Sequence, residues 1–130
     1  MDTDQLLALM PFAVATGVEL ERAEPAEVAG RLAWAPERCT AGGVLHGGAL
    51  MTLADSIGAV CAFLNLPAGA STSTVSSSTS LVRALRSGTA HAVARPAHVG
   101  RSFVLVNVEI TDDDGRLLAQ TSQTQAVLGR

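Results

Sequence analysis

The sequence contains no lysine and no tyrosine, and aromatic residues make up only 3% of its 130 positions. The missing lysine excludes a Schiff-base lysine and a phosphate-loop lysine. With Trp34 as its single tryptophan, the chain has too few aromatic side chains for a nucleic-acid stacking platform. Because the net charge is −3 and no basic run occurs, we expect neither a nucleic-acid nor a membrane partner.

Cysteine is also scarce in this chain. Cys39 and Cys61 are its two cysteines, and they form neither a CxxC pair nor a metal-ligand spacing. Residues 1–5 are acidic and polar rather than basic, which is not typical of a signal peptide. We therefore expect free thiols, no metal site and a cytoplasmic location.

Residues 47–66 form the one long apolar segment. Its large apolar residues recur at alternating spacings of three and four: Leu50, Leu53, Ile57, Val60 and Leu64. This period predicts a helix. Asp55 lies in its middle, where a charge costs roughly 2.5–3.5 kcal/mol in a membrane span. We therefore interpret the segment as the buried helix of one domain, residues 1–130, whose apolar content of 48% supplies a core.

A short helix and about six strands are predicted around the long helix. In chain order they are a helix over 4–10 that Pro11 stops, strands over 18–24 and 26–35, the long helix, and strands over 71–82, 89–97, 102–111 and 116–128. Consecutive strands with short turns favour an antiparallel sheet. Since a single apolar helix needs a sheet curled around it, the predicted fold class is α+β.

Two glycines, Gly47 and Gly48, stand at the start of the long helix. Backbone N–H groups are unpaired there, and the helix dipole adds partial positive charge. Glycine also lets a substrate atom approach closely, so both are candidates for binding a developing oxyanion. A plain helix start is the alternative. His46, just before them, is a candidate for substrate binding, acid–base chemistry or simply holding the loop.

Asp55 is the one carboxylate of the long helix. A buried charge is costly without a partner, which makes Asp55 a functional candidate; an arginine partner or simple exposure is the alternative. Gly47 lies eight residues away, about 12 Å along a regular helix, too far for one carbonyl to touch both. We therefore hypothesise a site shared across a homodimer, Gly47 from one subunit and Asp55 from the other, which a monomeric protein would exclude.

Nine of the ten residues from Ser71 to Ser80 are serine or threonine. No Gly-x-Ser-x-Gly elbow, which a nucleophilic serine would favour, occurs in the chain. A half-exposed polar strand is the simpler interpretation, and one hydroxyl near Asp55 is a candidate for positioning water. Arg101, in a turn before a strand, is either a phosphate ligand or a solvated turn residue.

The stretch His46-Gly47-Gly48, followed by Leu53-Ala54-Asp55 on a long apolar helix, resembles the hotdog-fold acyl-CoA thioesterases of the PaaI type. The resemblance covers roughly residues 14–129. Weaker matches are Leu81-Val82-Arg83, Val99-Gly100-Arg101-Ser102 and Asp114-Gly115-Arg116-Leu117-Leu118-Ala119. It implies a curved antiparallel sheet around the central helix, a dimer or tetramer, and an acyl-CoA substrate. It implies no separate cofactor, since coenzyme A is part of the substrate.

The resemblance also implies catalytic roles. Asp55 would be the catalytic carboxylate, as base or nucleophile, and the Gly47 N–H would polarise the thioester carbonyl. His46 would have a supporting role. Thr74, or Ser73 in so repetitive a run, would assist beside the carboxylate.

Substrate-binding roles follow from the same resemblance. Arg101 and Ser102 match positions that meet the nucleotide end of CoA, and Gly48 lies beside the oxyanion glycine. Thr40 stands where many relatives carry asparagine or glutamine, which leaves open how water or the carbonyl is positioned. Ala84 replaces a proline common in the family, a change that mostly affects a loop.

Other functions are open on the same fold. A hydratase would need an aspartate about five residues before a histidine, and Arg86 and Val93 stand there instead. An acyl-CoA or acyl-carrier binding module without turnover remains an alternative, favoured by Thr40. A purely structural dimerisation domain would leave Asp55 unexplained.

Overall fold

Residues 1–129 form three helices and six strands, with one 3₁₀ turn at Pro36–Arg38. The structure is a computed structural model and describes residues 1–129. The elements are α1 (Thr3–Ala8), α2 (Pro11–Thr16), β1 (Glu19–Glu24), β2 (Glu27–Ala33), α3 (Gly47–Leu64), β3 (Ser71–Leu81), β4 (Thr89–Val99), β5 (Phe103–Thr111) and β6 (Leu117–Leu128).

The six strands form one antiparallel sheet in the order β1-β2-β4-β5-β6-β3. Helix α3 lies against all six of them, so the sheet curls around it. This confirms the predicted α+β class and the antiparallel sheet. It also leaves β3, which carries the serine and threonine run, at one edge of the sheet.

The core lies between α3 and the concave face of the sheet. Leu53 and Ile57 of α3 are fully buried. Because successive side chains of a strand point to opposite faces, every second residue of β5 is buried: Val104, Val106, Val108 and Ile110. Gly30 of β2 lets the sheet close on the helix, because a Cβ there would overlap Ile57 Cδ1 of α3 and would also lie 2.7 Å from the Glu19 carbonyl oxygen of β1.

Cys61 lies in this core and contributes packing rather than chemistry. Its side chain is fully buried on α3. Burial raises the pKa of the Cys61 thiol to about 11, since a thiolate is poorly solvated there. The thiol is therefore protonated at neutral pH, as an inert core residue requires.

The prediction for the N-terminal helix is wrong at one end. Pro11 does not simply stop a helix over 4–10: α1 ends at Ala8, and Pro11 begins the separate helix α2. Proline suits the first helical position because its missing N–H has no intrahelical partner there. Gly17, with a φ of 103°, ends α2 in the left-handed conformation.

Among the helices of residues 1–129, only α3 is long enough and apolar enough to cross a membrane. Half of its 18-residue apolar window is buried inside the protein. A core helix meets the same criteria, and the packing of α3 against the sheet agrees with that interpretation.

The turn between β5 and β6 gives a pH-dependent prediction. The Asp112 carboxylate accepts bonds from the backbone N–H groups of Arg116 and Asp114, both at 2.9 Å, and from the Arg116 guanidinium at 2.9 Å. These bonds, the Arg116 backbone N–H first, hold the pKa of Asp112 below its usual value. A carboxyl with a lowered folded-state pKa stabilises the fold above its unfolded pKa, and this is lost as pH falls through the folded pKa.

Asp112→Asn should therefore lower the Tm at neutral pH. The Tm difference from wild type should shrink once the pH falls well below the ordinary aspartate pKa of about 4. Thermal unfolding across this range measures both effects. Asp114→Asn is the matched control, since the Asp114 side chain is 77% exposed. A Tm difference that persists unchanged in acid would contradict the prediction.

Candidate active site

The carboxylate of Asp55 lies on the face of α3 beside β3. Its Oδ1 accepts a hydrogen bond from Thr74 Oγ1 at 2.9 Å and another from Gln123 Nε2 at 2.8 Å. Its Oδ2 accepts no hydrogen bond from residues 1–129. One carboxylate oxygen is thus anchored, and the other is available to a substrate or a water.

The sequence left Asp55 either as a buried carboxylate that needs a partner or as an exposed residue, and the single chain shows the exposed alternative. The residue is exposed there, because its face of the helix lies at the open side next to the edge strand β3. Its partners are a hydroxyl and an amide rather than an arginine. Asp55 is therefore held by neutral donors, and the arginine partner that the sequence left open is not found within residues 1–129.

Thr74 and Ser73 were alternatives for the hydroxyl beside the carboxylate. Successive residues of a strand point to opposite faces, and Thr74 is the one that contacts Asp55. Ser73 is exposed on the other face of β3. The structure therefore brings Thr74, and not Ser73, to the carboxylate.

Two glutamines of β6 complete the surroundings of Asp55, and the sequence interpretation missed both. Gln123 is 3% exposed and donates to Asp55, while Gln125 is fully buried behind it. The sequence signal for them was their spacing, because Gln123 and Gln125 follow the buried Thr121 at every second position. This spacing puts polar side chains at inward-facing positions of a strand, where each needs a hydrogen-bond partner.

His46 caps the start of α3. Its Nδ1 accepts a hydrogen bond from the Gly48 N–H at 2.8 Å, so the neutral ring carries its proton on Nε2. The side chain reaches the first turn because the His46 backbone is extended, with a ψ of 133°. Of the roles considered for His46, the structure shows the one that holds the loop.

The same bond corrects the prediction for the two glycines. The Gly48 N–H donates to His46 and is not available to an oxyanion. The Gly47 N–H makes no hydrogen bond to the described part of the chain. Gly47 is therefore the one unpaired donor of the pair at this positively polarised helix start.

Asp55 and Gly47 line different hollows of the single chain. Asp55 and Thr74 lie in a cleft of about 510 Å³ with Phe12 and Met51 on its apolar wall. Gly47 lies with Thr40 in a separate hollow of about 250 Å³. The structure thus places Thr40 beside the oxyanion candidate and keeps both away from the carboxylate.

Arg101 and Ser102 occupy the turn between β4 and β5. They line a third hollow, of about 370 Å³, together with Phe103. Neither lines the cleft of Asp55 nor the hollow of Gly47. Within one chain, the predicted nucleotide-binding residues are therefore apart from both reactive groups.

No group of three or more histidine, cysteine, aspartate or glutamate side chains could hold a metal ion anywhere in residues 1–129. The groups that the chain offers for chemistry are the Asp55 carboxylate with one free oxygen, the unpaired backbone N–H of Gly47, and the apolar cleft beside Asp55. Such groups suit acyl transfer at a carbonyl, where charge develops on oxygen.

A long helix wrapped by a curved antiparallel sheet is the architecture of the hotdog-fold proteins. The chain belongs to the thioesterase superfamily, whose family model matches residues 42–119. The matched segment includes Gly47 and Asp55.

Named relatives agree with this family. The chain is 35% identical over 86 residues, 66% of its length, to 1,4-dihydroxy-2-naphthoyl-CoA hydrolase of Escherichia coli K12. It is 32% identical over 87 residues, 67% of its length, to the proofreading thioesterase EntH of Cronobacter sakazakii. These matches span 63% and 64% of the two relatives.

The fold is shared over the whole chain with a solved thioesterase. The structure of a mutant of thioesterase PA1618 from Pseudomonas aeruginosa superimposes with a TM-score of 0.93 at 26% identity. The match covers 100% of this chain and 96% of that one. It confirms the hotdog fold that the His46–Asp55 motif implied.

Proposed function

We propose that this protein hydrolyses acyl-CoA thioesters to a free acid and CoA. The observation that carries the proposal is the Asp55 carboxylate, which lines a cleft with apolar walls and whose Oδ1 is anchored while its Oδ2 accepts no hydrogen bond from residues 1–129. The name of the E. coli relative, a naphthoyl-CoA hydrolase, supports a CoA thioester as the substrate class. The proposed reaction needs no separate cofactor.

Two routes use the same atoms. As a general base, Asp55 Oδ2 takes a proton from water, and the resulting hydroxide attacks the thioester carbonyl carbon. As a nucleophile, Oδ2 attacks that carbon itself and forms an anhydride, which water then hydrolyses. In both, the C–S bond breaks and CoA leaves as a thiolate, while the Gly47 N–H stabilises the oxyanion. The thiolate then takes up the proton removed from water, which leaves Asp55 ionised again.

We further propose that each site is shared between two subunits. Gly47 and Asp55 line separate hollows of one chain, about 12 Å apart along the helix axis. A second copy of α3 beside the first would bring the Gly47 N–H of one subunit to the Asp55 of the other. Burial of Asp55, which the single chain lacks, would then come from the partner.

The exposed surface supports a partner of this kind. The outer edge of β3 is unpaired within the chain, and an unpaired edge of 11 residues is a template for another strand. The apolar side chains of Phe12, Met51 and Val75 are 72%, 45% and 56% exposed. Such apolar exposure is typical of an interface, so we propose a dimer, or a tetramer of two dimers. We propose separately that the protein is cytoplasmic.

A panel of CoA esters tests the proposed activity. Purified protein is incubated with aryl, phenylacetyl, short-chain and long-chain acyl-CoA, and release of free thiol is followed. We expect turnover of at least one ester, and the best ester identifies the acyl class. Size-exclusion chromatography with light scattering should show a dimer or tetramer, and a monomer would rule out the shared site.

The alternative is an acyl-CoA or acyl-carrier binding module without turnover. Thr40, beside Gly47 in place of an amide residue, is the observation that favours it. In that case no ester is hydrolysed, but a CoA ester raises the Tm of the protein. A protein that neither hydrolyses nor binds any ester would contradict both functions.

A further inference from the structure

We propose that Gln125 is a positioning residue that sets the direction of both hydrogen bonds received by Asp55, without touching Asp55 itself. The inference rests on the proposed function, because it concerns how the catalytic carboxylate is held. Gln125 is fully buried at the inner face of β6. An amide so placed must find partners for its donors and its acceptor.

The amide nitrogen of Gln125 has two hydrogens, and each has an acceptor. Thr74 Oγ1 lies 2.7 Å from Gln125 Nε2, and Gln123 Oε1 lies 3.1 Å from it. The Gln125 carbonyl oxygen lies 3.2 Å from the Thr72 hydroxyl. Because Asp55 Oδ1 only accepts, it takes the Thr74 proton and the Gln123 Nε2, which leaves lone pairs of both residues facing Gln125. A flipped Gln125 amide would place its oxygen against these two lone pairs, so the network admits one orientation.

Thr74 and Gln123, which both accept a hydrogen bond from Gln125, each donate one in turn to Asp55 Oδ1. The Thr74 hydroxyl accepts from Gln125, and its single proton is directed to Asp55 Oδ1 at 2.9 Å. The Gln123 amide accepts at Oε1, and its Nε2 is directed to the same Oδ1 at 2.8 Å. Two branches that start at one amide nitrogen therefore converge on one carboxylate oxygen.

The helix supplies an independent sign that this network is built into the fold. Gly58 lies in the interior of α3, where glycine is unfavourable. A Cβ at Gly58 would overlap Gln123 Oε1 and touch Val108 Cγ2 at 3.4 Å. Glycine there keeps open the space that the Gln123 amide occupies.

The consequence for the reaction is a fixed carboxylate plane. With Oδ1 held by two donors, Oδ2 is the oxygen left for water or the thioester carbon. A reacting group fixed in this way approaches its target in fewer orientations, which raises kcat. Loss of the Gln125 donor should release both branches, although no atom of Gln125 lies in the cleft of Asp55.

Gln125→Met tests this, because methionine is similar in size and has no N–H donor. We expect kcat to fall by about 10- to 100-fold with KM changed by less than about 2-fold. Gln125→Glu is a second variant, since burial and the nearby Asp55 carboxylate favour its protonated carboxyl, which has one donor where the amide has two. We expect its kcat to lie between those of Gln125→Met and wild type.

Thr121→Val is the matched control. Thr121 is 1% exposed on the same strand, and its hydroxyl lies 2.8 Å from that of Thr79 on β3. The control thus removes an equally buried bond between β6 and β3 that does not reach Asp55. Its kcat should equal that of wild type, and equal losses of kcat in Thr121→Val and Gln125→Met would overturn the inference.

A spectroscopic readout separates this inference from the proposed function. In ¹⁵N-labelled protein, the side-chain amide signal of Gln123, assigned by its loss in Gln123→Met, should shift in Gln125→Met and stay in place in Thr121→Val. An unmoved signal overturns the inference. If wild-type protein hydrolyses no ester, the proposed function fails, and the amide signals still decide whether Gln125 directs the network.

Discussion

Asp55→Asn is expected to lower kcat for thioester hydrolysis by about 100-fold or more, the scale of a lost general base. Asparagine keeps the size of the side chain, and its carbonyl oxygen still accepts the bonds from Thr74 and Gln123. Its Nδ2 then takes the place of the free Oδ2 and has no lone pair for a proton or a carbonyl carbon. KM should change little, and initial rates across ester concentrations measure both constants.

The control for this substitution is another carboxylate changed in the same way. Asp113 lies in the turn between β5 and β6 and bonds His91 Nε2 at 2.7 Å, outside the cleft of Asp55. Asp113→Asn should leave kcat at the wild-type value. If Asp55→Asn keeps full activity while its Tm is also unchanged, the carboxylate is not the reactive group.

Gly47→Pro is expected to lower kcat by about 100- to 1000-fold, as the loss of one oxyanion donor does. Proline removes the unpaired N–H of Gly47 but suits the first position of a helix. It also requires an extended residue before it, and His46 already has φ −61° and ψ 133°. The variant therefore deletes the donor while the start of α3 is retained.

Gly47→Ala isolates the effect of the N–H. Any Cβ at position 47 lies 2.7 Å from Leu81 Cδ1, so both variants displace the end of the Leu81 side chain. Alanine keeps the N–H, and we expect Gly47→Ala to retain much more activity than Gly47→Pro. Equal kcat values for the two variants would mean that the N–H does not act on the substrate.

Mixing the two inactive variants then tests whether a site is shared. In a heterodimer of Asp55→Asn and Gly47→Pro chains, one site receives both wild-type groups and the other receives neither. Random exchange of subunits should restore about a quarter of wild-type activity. Chains that each contained a whole site would show no recovery after denaturation and refolding together.

Elements with a strong period were predictable from the sequence. The stripe of large residues from Leu50 to Leu64 predicted α3, and the alternating valines predicted β5, because burial of one face imposes these periods. Element ends were less predictable. Residues 89–97 were assigned to a strand that in fact reaches Val99, because pairing with β5 continues past a bulge near Pro96.

The residues of the candidate site also differ in how far the sequence predicted them. Local chemistry was enough to single out Gly47 at a helix start and Asp55 in an apolar helix, since both depend on neighbours along the chain. Gly48 was assigned wrongly as a second donor. Its N–H is engaged by the His46 ring, a contact that depends on the rotamer and ψ of His46.

The sequence by itself determined the antiparallel sheet, the central helix and the two reactive candidates, because periodicity and capping act over a few residues. The tertiary structure alone decided what holds Asp55. Gln123 follows it by 68 residues, and the register that pairs Thr74 with Gln125 brings both glutamines to the helix. A strand's period reveals which face a side chain occupies, but only the pairing of β6 with β3 decides which groups it meets there.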